Sequence, residues 1–158
     1  MATSNQLLIE SQPATASRIL GNLWMGDAPP IGLGVGQHFD HLVLCAMEYQ
    51  LEPALFPGVN VIHAPMNDDG SPMTVDEMRI AVRTAGQVIR HLQNKERVLV
   101  SCMQGRNRSG LVTALALCLG AKHIPQQAVQ RIRYARGPGA MKNRDFLWFL
   151  QKFCQSER

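Results

Sequence analysis

The sequence predicts an α/β fold with a central, mainly parallel sheet flanked by helices. Three observations predict it. Short apolar runs, HLVLCA (41–46), VNVIHAP (59–65) and RVLVS (97–101), have the composition of buried strands. Between the second and third lies a long segment of helical periodicity, so the strands it joins need a crossover connection and run parallel. The chain then closes with helical segments alone, the pattern of a sheet covered by helices.

The elements follow in order. Residues 1–17 are rich in Ser, Thr, Gln and Ala and are expected to form a flexible leader, with a single domain over 18–158. ILGNLWMGD (19–27) reads as a short first strand ending in a turn. PPIGLGVG (29–36) holds too much Gly and Pro for anything but a loop. HLVLCA and VNVIHAP are the next strands, the second expected to stop at Pro65. MNDDGSP (66–72) is a polar loop.

Thr74, with Glu77 three residues on, forms a capping-box pattern and opens the clearest helix. Met78, Ala81, Val82, Ala85, Val88, Ile89 and Leu92 recur on one face, leaving Arg79, Arg83 and Arg90 to solvent. RVLVS is a strand, LVTALALCLG (111–120) an apolar helix, and PQQAVQRIRYAR (125–136) a helix begun by Pro125. Asn143 is expected to cap a last helix carrying Phe146, Leu147, Leu150 and Phe153 inward.

Composition narrows the class. A chain of 158 residues with 46% hydrophobic and 18% charged residues suits one soluble domain with its own core. It has no apolar run long enough to cross a bilayer, so no membrane insertion is expected. The start lacks a basic segment followed by an apolar stretch, so no secretory signal is expected. Cys45, Cys102, Cys118 and Cys154 form no C-x-x-C pair, which disfavours a metal site and suits reduced thiols in a cytoplasm. A formal charge of +4 leans toward acidic or phosphorylated partners.

The chemistry concentrates in VLVSCMQGRNRSG (98–110). The strand ends at Ser101 and the next helix begins near Ser109, so Cys102 to Arg108 form a strand-to-helix loop. Ligands of open α/β sheets bind at that edge. Backbone N–H groups at a helix N-terminus attract anions, Gly105 frees the backbone to turn, and Arg108 offers a planar fork to two phosphate oxygens. The same field favours the thiolate of Cys102, the reactive form of a cysteine. One loop could thus bind a phosphate through Met103, Gln104, Gly105, Arg106, Asn107 and Arg108, and attack it through Cys102.

Cys102, five residues, Arg108 and Ser109, written CMQGRNRS, resemble the signature of the protein tyrosine phosphatases, and the short chain resembles their dual-specificity branch. ILGNLWMGD is similar to the family's opening strand, and RIRYARGPGAMKNRDFL (131–147) to its late helix, loop and Asn-capped final helix. The resemblance implies a cysteine-dependent phosphatase acting on phosphorylated proteins through a phosphocysteine intermediate, without cofactor or metal. It implies a general acid some thirty residues before the nucleophile. Asp68, three residues after Pro65, is favoured there, with its neighbour Asp69 as the alternative. Ser109 is expected to stabilise the departing thiolate.

The family carries histidine directly before the nucleophile, where this chain has Ser101, which puts the rate in doubt but not the reaction class. Asn107 before Arg108 is distantly like the RNA 5′-triphosphatases of the same superfamily, and Arg131, Arg133, Arg136, Lys142 and Arg144 gather near one loop. Nucleic acid enters only under that alternative, a solvated basic surface being favoured over an RNA path and Tyr134, Phe146 and Trp148 being expected in the core. Cys45 resembles a backdoor cysteine able to close a disulfide with the nucleophile under oxidation, and a buried strand residue is an equal reading. A catalytically weak phosphate-binding module is the other alternative. A monomer is favoured.

Overall fold

The computed structural model describes residues 5–9 and 15–156. Six strands form one sheet: β1 (Gln6–Leu8), β2 (Thr15–Leu20), β3 (Leu23–Gly26), β4 (His41–Ala46), β5 (Asn60–Met66) and β6 (Val98–Ser101), in the spatial order β1-β2-β3-β6-β4-β5. The four from β3 to β5 run parallel, and β1 and β2 add an antiparallel edge. The sheet is therefore mixed, with its parallel part at the centre, as the strand-helix alternation predicts.

Helices α1 (Gly34–His38), α2 (Val75–Gln93), α3 (Arg108–Gly120), α4 (Pro125–Arg136) and α5 (Arg144–Ser156) cover the sheet. The larger core lies on the side of α2 to α5, where α3 is buried continuously from Arg108 to Cys118. A helix apolar on every face has to be surrounded. Its Leu111 and Leu115 are wholly buried, and truncating either to Ala should cost about 2–5 kcal/mol. On the other face Val35, Phe39, Leu42, Leu44 and Phe56 make a smaller core under α1.

Several expectations need correction. Residues 19–27 hold two strands, because Gly21, at φ +58°, turns the chain between β2 and β3. The sheet begins before Arg18: Leu7 pairs with Ala16, and Ile9 and Ala16 are buried, so part of the expected leader is a sheet edge. Residues 1–4 and 10–14 of that stretch lie outside the described residues. The Gly-rich loop contains α1. Pro65 lies inside β5, tolerated because β5 is an edge strand with one side free of the ladder. Tyr134 is 92% and Trp148 58% exposed, whereas Phe146 is buried as expected.

Register decides where the site falls. Gly26 and Leu44 both lie beside Ser101, so β3 and β6 end together with β4 running on only to Ala46, and the segments that follow them converge on one edge.

Candidate active site

The loop after β6 is held from outside. Its carbonyls at Met103, Gln104, Gly105 and Arg106 accept from Ala28 N (3.2 Å), Arg136 Nη2 (3.1 Å), Arg136 Nε (2.9 Å) and Met141 N (3.1 Å). In a peptide unit the C=O and the following N–H point opposite ways, so carbonyls turned outward leave the N–H groups of the loop facing its interior. That concavity, against the N-terminus of α3, is an anion cradle. Gly105 makes it possible: at φ +64°, a Cβ there would stand 2.5 Å from the Gly26 carbonyl carbon and from Arg136 Nη2.

At the base of the cradle Cys102 is 5% exposed, and its Sγ lies 3.1 Å from Ser109 Oγ. Arg108 is 6% exposed. Its end-on edge faces Glu48, with Nη1 2.5 Å from Oε1 and Nη2 3.2 Å from Oε2, and Nη1 also donates to Met66 O at 3.1 Å. Of its five N–H groups this leaves the side-on edge, Nε–H with the second Nη2–H, and Nε is buried without a partner. Arg108 therefore keeps a fork for two oxygens of a ligand while Glu48 holds it from the other edge. Burial pulls the Arg108 guanidinium toward neutrality, but Glu48, Cys102 and Asp68 outweigh it and keep it charged. The guanidinium in turn holds the Glu48 carboxyl below the usual carboxylate range.

The structure brings Asp68, not Asp69, to the loop. Asn107 Nδ2 donates to Asp68 Oδ2 at 2.9 Å and Asn143 Nδ2 to Oδ1 at 2.7 Å. Asn107 Oδ1 also accepts from the backbone N–H groups of Lys142 (2.8 Å) and Asn143 (3.1 Å), so one side chain joins three loops. Asp69 closes a local turn onto Ser71 N at 3.0 Å, and the Ser71 hydroxyl holds its carboxyl below the usual range. Glu77, read from the sequence as a helix cap, caps α2 with Oε1 and accepts from Asn67 N with Oε2 at 2.7 Å, fixing the residue before Asp68.

Ser101 is committed elsewhere: its hydroxyl donates to Val43 O on β4 at 2.8 Å and is buried. Cys45 is fully buried on β4, and burial, followed by the nearby Cys102, pushes its thiol well up. The late basic residues are largely engaged with the protein itself. Arg133 binds Ala140 O (2.9 Å) and Met141 O (2.8 Å), Arg131 binds Ile19 O (3.2 Å), and Arg136 binds the loop carbonyls with Ser17 Oγ (3.0 Å) and Thr15 Oγ1 (3.3 Å). An RNA path over them finds no support.

Sequence reasoning missed Glu48, the second role of Asn143, and the bonds by which Arg136 holds the loop carbonyls. For Glu48 one signal existed: a carboxylate two residues past the end of a buried strand, at the sheet edge where the loop begins.

The chain is similar to cyclin-dependent kinase inhibitor 3 of Mus musculus, 29% identical over 96 residues, and of Sus scrofa, 32% identical over 103 residues. Each match covers 61% of this chain and 44% of the relative, so the chain matches less than half the length of these curated relatives. Among solved structures, the active form of Tk-PTP superposes with TM-score 0.76 at 23% identity, covering 89% of this chain and 96% of that one. Human DUSP28 superposes with TM-score 0.71 at 22% identity, covering 90% and 94%. No protein-family model matches. The fold is that of the dual-specificity phosphatases.

Proposed function

We propose that the protein is a cysteine-dependent phosphatase that hydrolyses phosphate monoesters of proteins through a phosphocysteine intermediate. The observation that carries this reading is the buried, unpaired Nε edge of Arg108 beside Cys102, at the base of a loop whose amides face inward.

Each residue then has a task. The Cys102 thiolate attacks phosphorus and the P–O bond to the leaving alcohol or phenol breaks. The side-on edge of Arg108 and the loop amides from Met103 to Arg108 hold the equatorial oxygens, stabilising the transition state with dipoles already in place. Asp68 gives its proton to the leaving oxygen. Water then attacks the phosphocysteine, Asp68 takes a proton from that water, and the Ser109 hydroxyl, 3.1 Å from Sγ, receives the departing thiolate as a donor. The chemistry draws only on these side chains and water.

The kinase-directed name of the curated relatives supports phosphoproteins as the substrate class. Among the described residues no helix is long and apolar enough to cross a membrane. A reducing cytoplasm suits the reduced thiols of Cys45 and Cys102. Cys45 serves as a redox partner under peroxide: Cys102 is oxidised to sulfenic acid as peroxide is reduced, and the Cys45 thiol displaces water to form a disulfide. Peptide mapping that finds Cys102 only as sulfinic acid excludes that pairing.

The test is phosphate release from an aryl phosphate in chelator, comparing wild type with Cys102→Ser and Asp68→Ala. Turnover by wild type, abolished in the serine variant and cut about 10²–10⁴-fold in the alanine variant for poor leaving groups, supports the mechanism. Retention of a phosphopeptide without turnover by any of the three would make the protein a binding module.

A further inference from the structure

At the opposite edge of the sheet from Cys102, three side chains that the phosphatase reading does not use come together. His41 opens β4, His91 lies in the last turn of α2, and Glu96 precedes β6. His41 Nε2 is 3.3 Å from Glu96 Oε2, His91 Nδ1 is 3.1 Å from Oε1, and the ligand atoms of the three residues lie within 4.8 Å of one another.

The unusual member is His41. Its side chain is only 9% exposed, yet Nε2 makes no hydrogen bond, although a carboxylate oxygen stands within reach. An ordinary buried His–Glu pair would set the N–H on the oxygen. Here the nitrogen stands 3.3 Å from the Glu96 carboxylate as an ion-pair partner but off the geometry of a good hydrogen bond. The two imidazole rings stack at 3.5 Å and 20°, beside a single carboxylate.

We infer that His41, His91 and Glu96 form a site for a borderline divalent cation, Zn²⁺ being the ion whose ligand preferences they match. Two imidazoles and a carboxylate are a common zinc donor set, and a tetrahedron with bonds of about 2.0–2.1 Å has edges of about 3.3–3.4 Å, the scale of the 3.3 Å between His41 Nε2 and Glu96 Oε2. The fourth position belongs to water. Asp40, next in sequence to His41, is not a competing ligand, because Arg97 holds it through its backbone N–H at 2.8 Å and its guanidinium.

Two local adjustments complete the site. In the stack the two lone pairs run side by side, so the His91 ring turns about its side-chain bonds to face the ion. It is 26% exposed and has room, whereas the buried His41 stays in place. Asn60 Nδ2 lies 3.0 Å from His41 Nδ1, and a half-turn of that amide exchanges its nitrogen for its oxygen. With the oxygen of that amide accepting from Nδ1–H, the Nε2 lone pair is free for the cation, the usual arrangement around a metal-bound histidine. The bound ion ties the end of α2 to the start of β4, and its presence or absence is independent of phosphate chemistry at the other edge.

Zn²⁺ is titrated by calorimetry into chelator-treated protein carrying Cys102→Ser, which removes a thiolate that would compete for the ion. The site predicts one Zn²⁺ per chain, at least tenfold weaker binding in both His91→Gln and Glu96→Gln, and a Zn²⁺-dependent rise in melting temperature in the parent alone. Both substitutions fall at partly exposed side chains, so the metal-free melting temperature checks that the variants fold. Co²⁺ in place of Zn²⁺ should give ligand-field bands without a thiolate charge-transfer band. No saturable binding, equal affinity in parent and both variants, or a thiolate band would each overturn the assignment.

Discussion

Asn107 Nδ2 donates to Asp68 Oδ2 at 2.9 Å, so the residue just before the cradle's arginine also orients the carboxylate proposed as the acid. Replacing Asn107 with Ala removes this bond and the acceptor for two backbone N–H groups of the 137–143 loop. We expect kcat to fall roughly tenfold to a hundredfold on substrates with poor leaving groups, where proton donation matters, and much less on a nitrophenyl ester. Steady-state kinetics across a series of leaving groups separates this from a general loss of structure, which would lower every rate alike.

Glu48 gives a pH signature. Its carboxyl lies below its ordinary value of 4.5 because it accepts from Arg108, so it holds fewer protons folded than unfolded. The stability it contributes is complete above that ordinary value and disappears as pH falls through the folded value. Glu48→Gln should therefore lower the melting temperature near neutrality and flatten its decline in acid. Melting curves of the two proteins from neutral pH into the acid range should converge; parallel curves would contradict the pairing.

Gly105→Ala should ruin the cradle. The positive φ alone costs about 1–3 kcal/mol for a residue with a side chain. The new methyl would also meet the Gly26 backbone at 2.5 Å, which cannot swing aside as a side chain could. The expected result is loss of phosphate or vanadate binding, measured by calorimetry, while circular dichroism still shows the fold.

Ser101→Ala should behave in the opposite way. The hydroxyl binds Val43 O between two buried strands, so its loss is expected to cost about 1 kcal/mol of stability. Activity should stay within a few-fold of wild type. A rate loss larger than tenfold with unchanged stability would mean that Ser101 acts on the nucleophile after all.

What was legible in the sequence is what is written locally. The capping box of Thr74 and Glu77, Pro125 at the start of α4 and Asn143 at the start of α5 each depend on residues within one helical turn, and each helix begins where they indicate. Cys102, its loop and Arg108 could be read as one unit because they are contiguous. Glu48 meets Arg108 across 60 residues and Asn143 meets Asp68 across 75, contacts that no local pattern encodes. The β2–β3 turn was missed because Gly21 and Asn22 sit within an apolar stretch that reads as a single strand. Tyr134 and Trp148 were misplaced because aromatic character alone does not say which side of a helix faces inward.

Arg136 reaches Thr15 and Ser17 with one nitrogen and the carbonyls of Gln104 and Gly105 with its others. A boundary drawn at Arg18 would remove both hydroxyls without touching any residue proposed to meet a phosphate, and it would slacken the cradle from behind. A truncation past Ser17, or a partner that peels β1 and β2 together from the sheet, would thus act as a remote brake on the site.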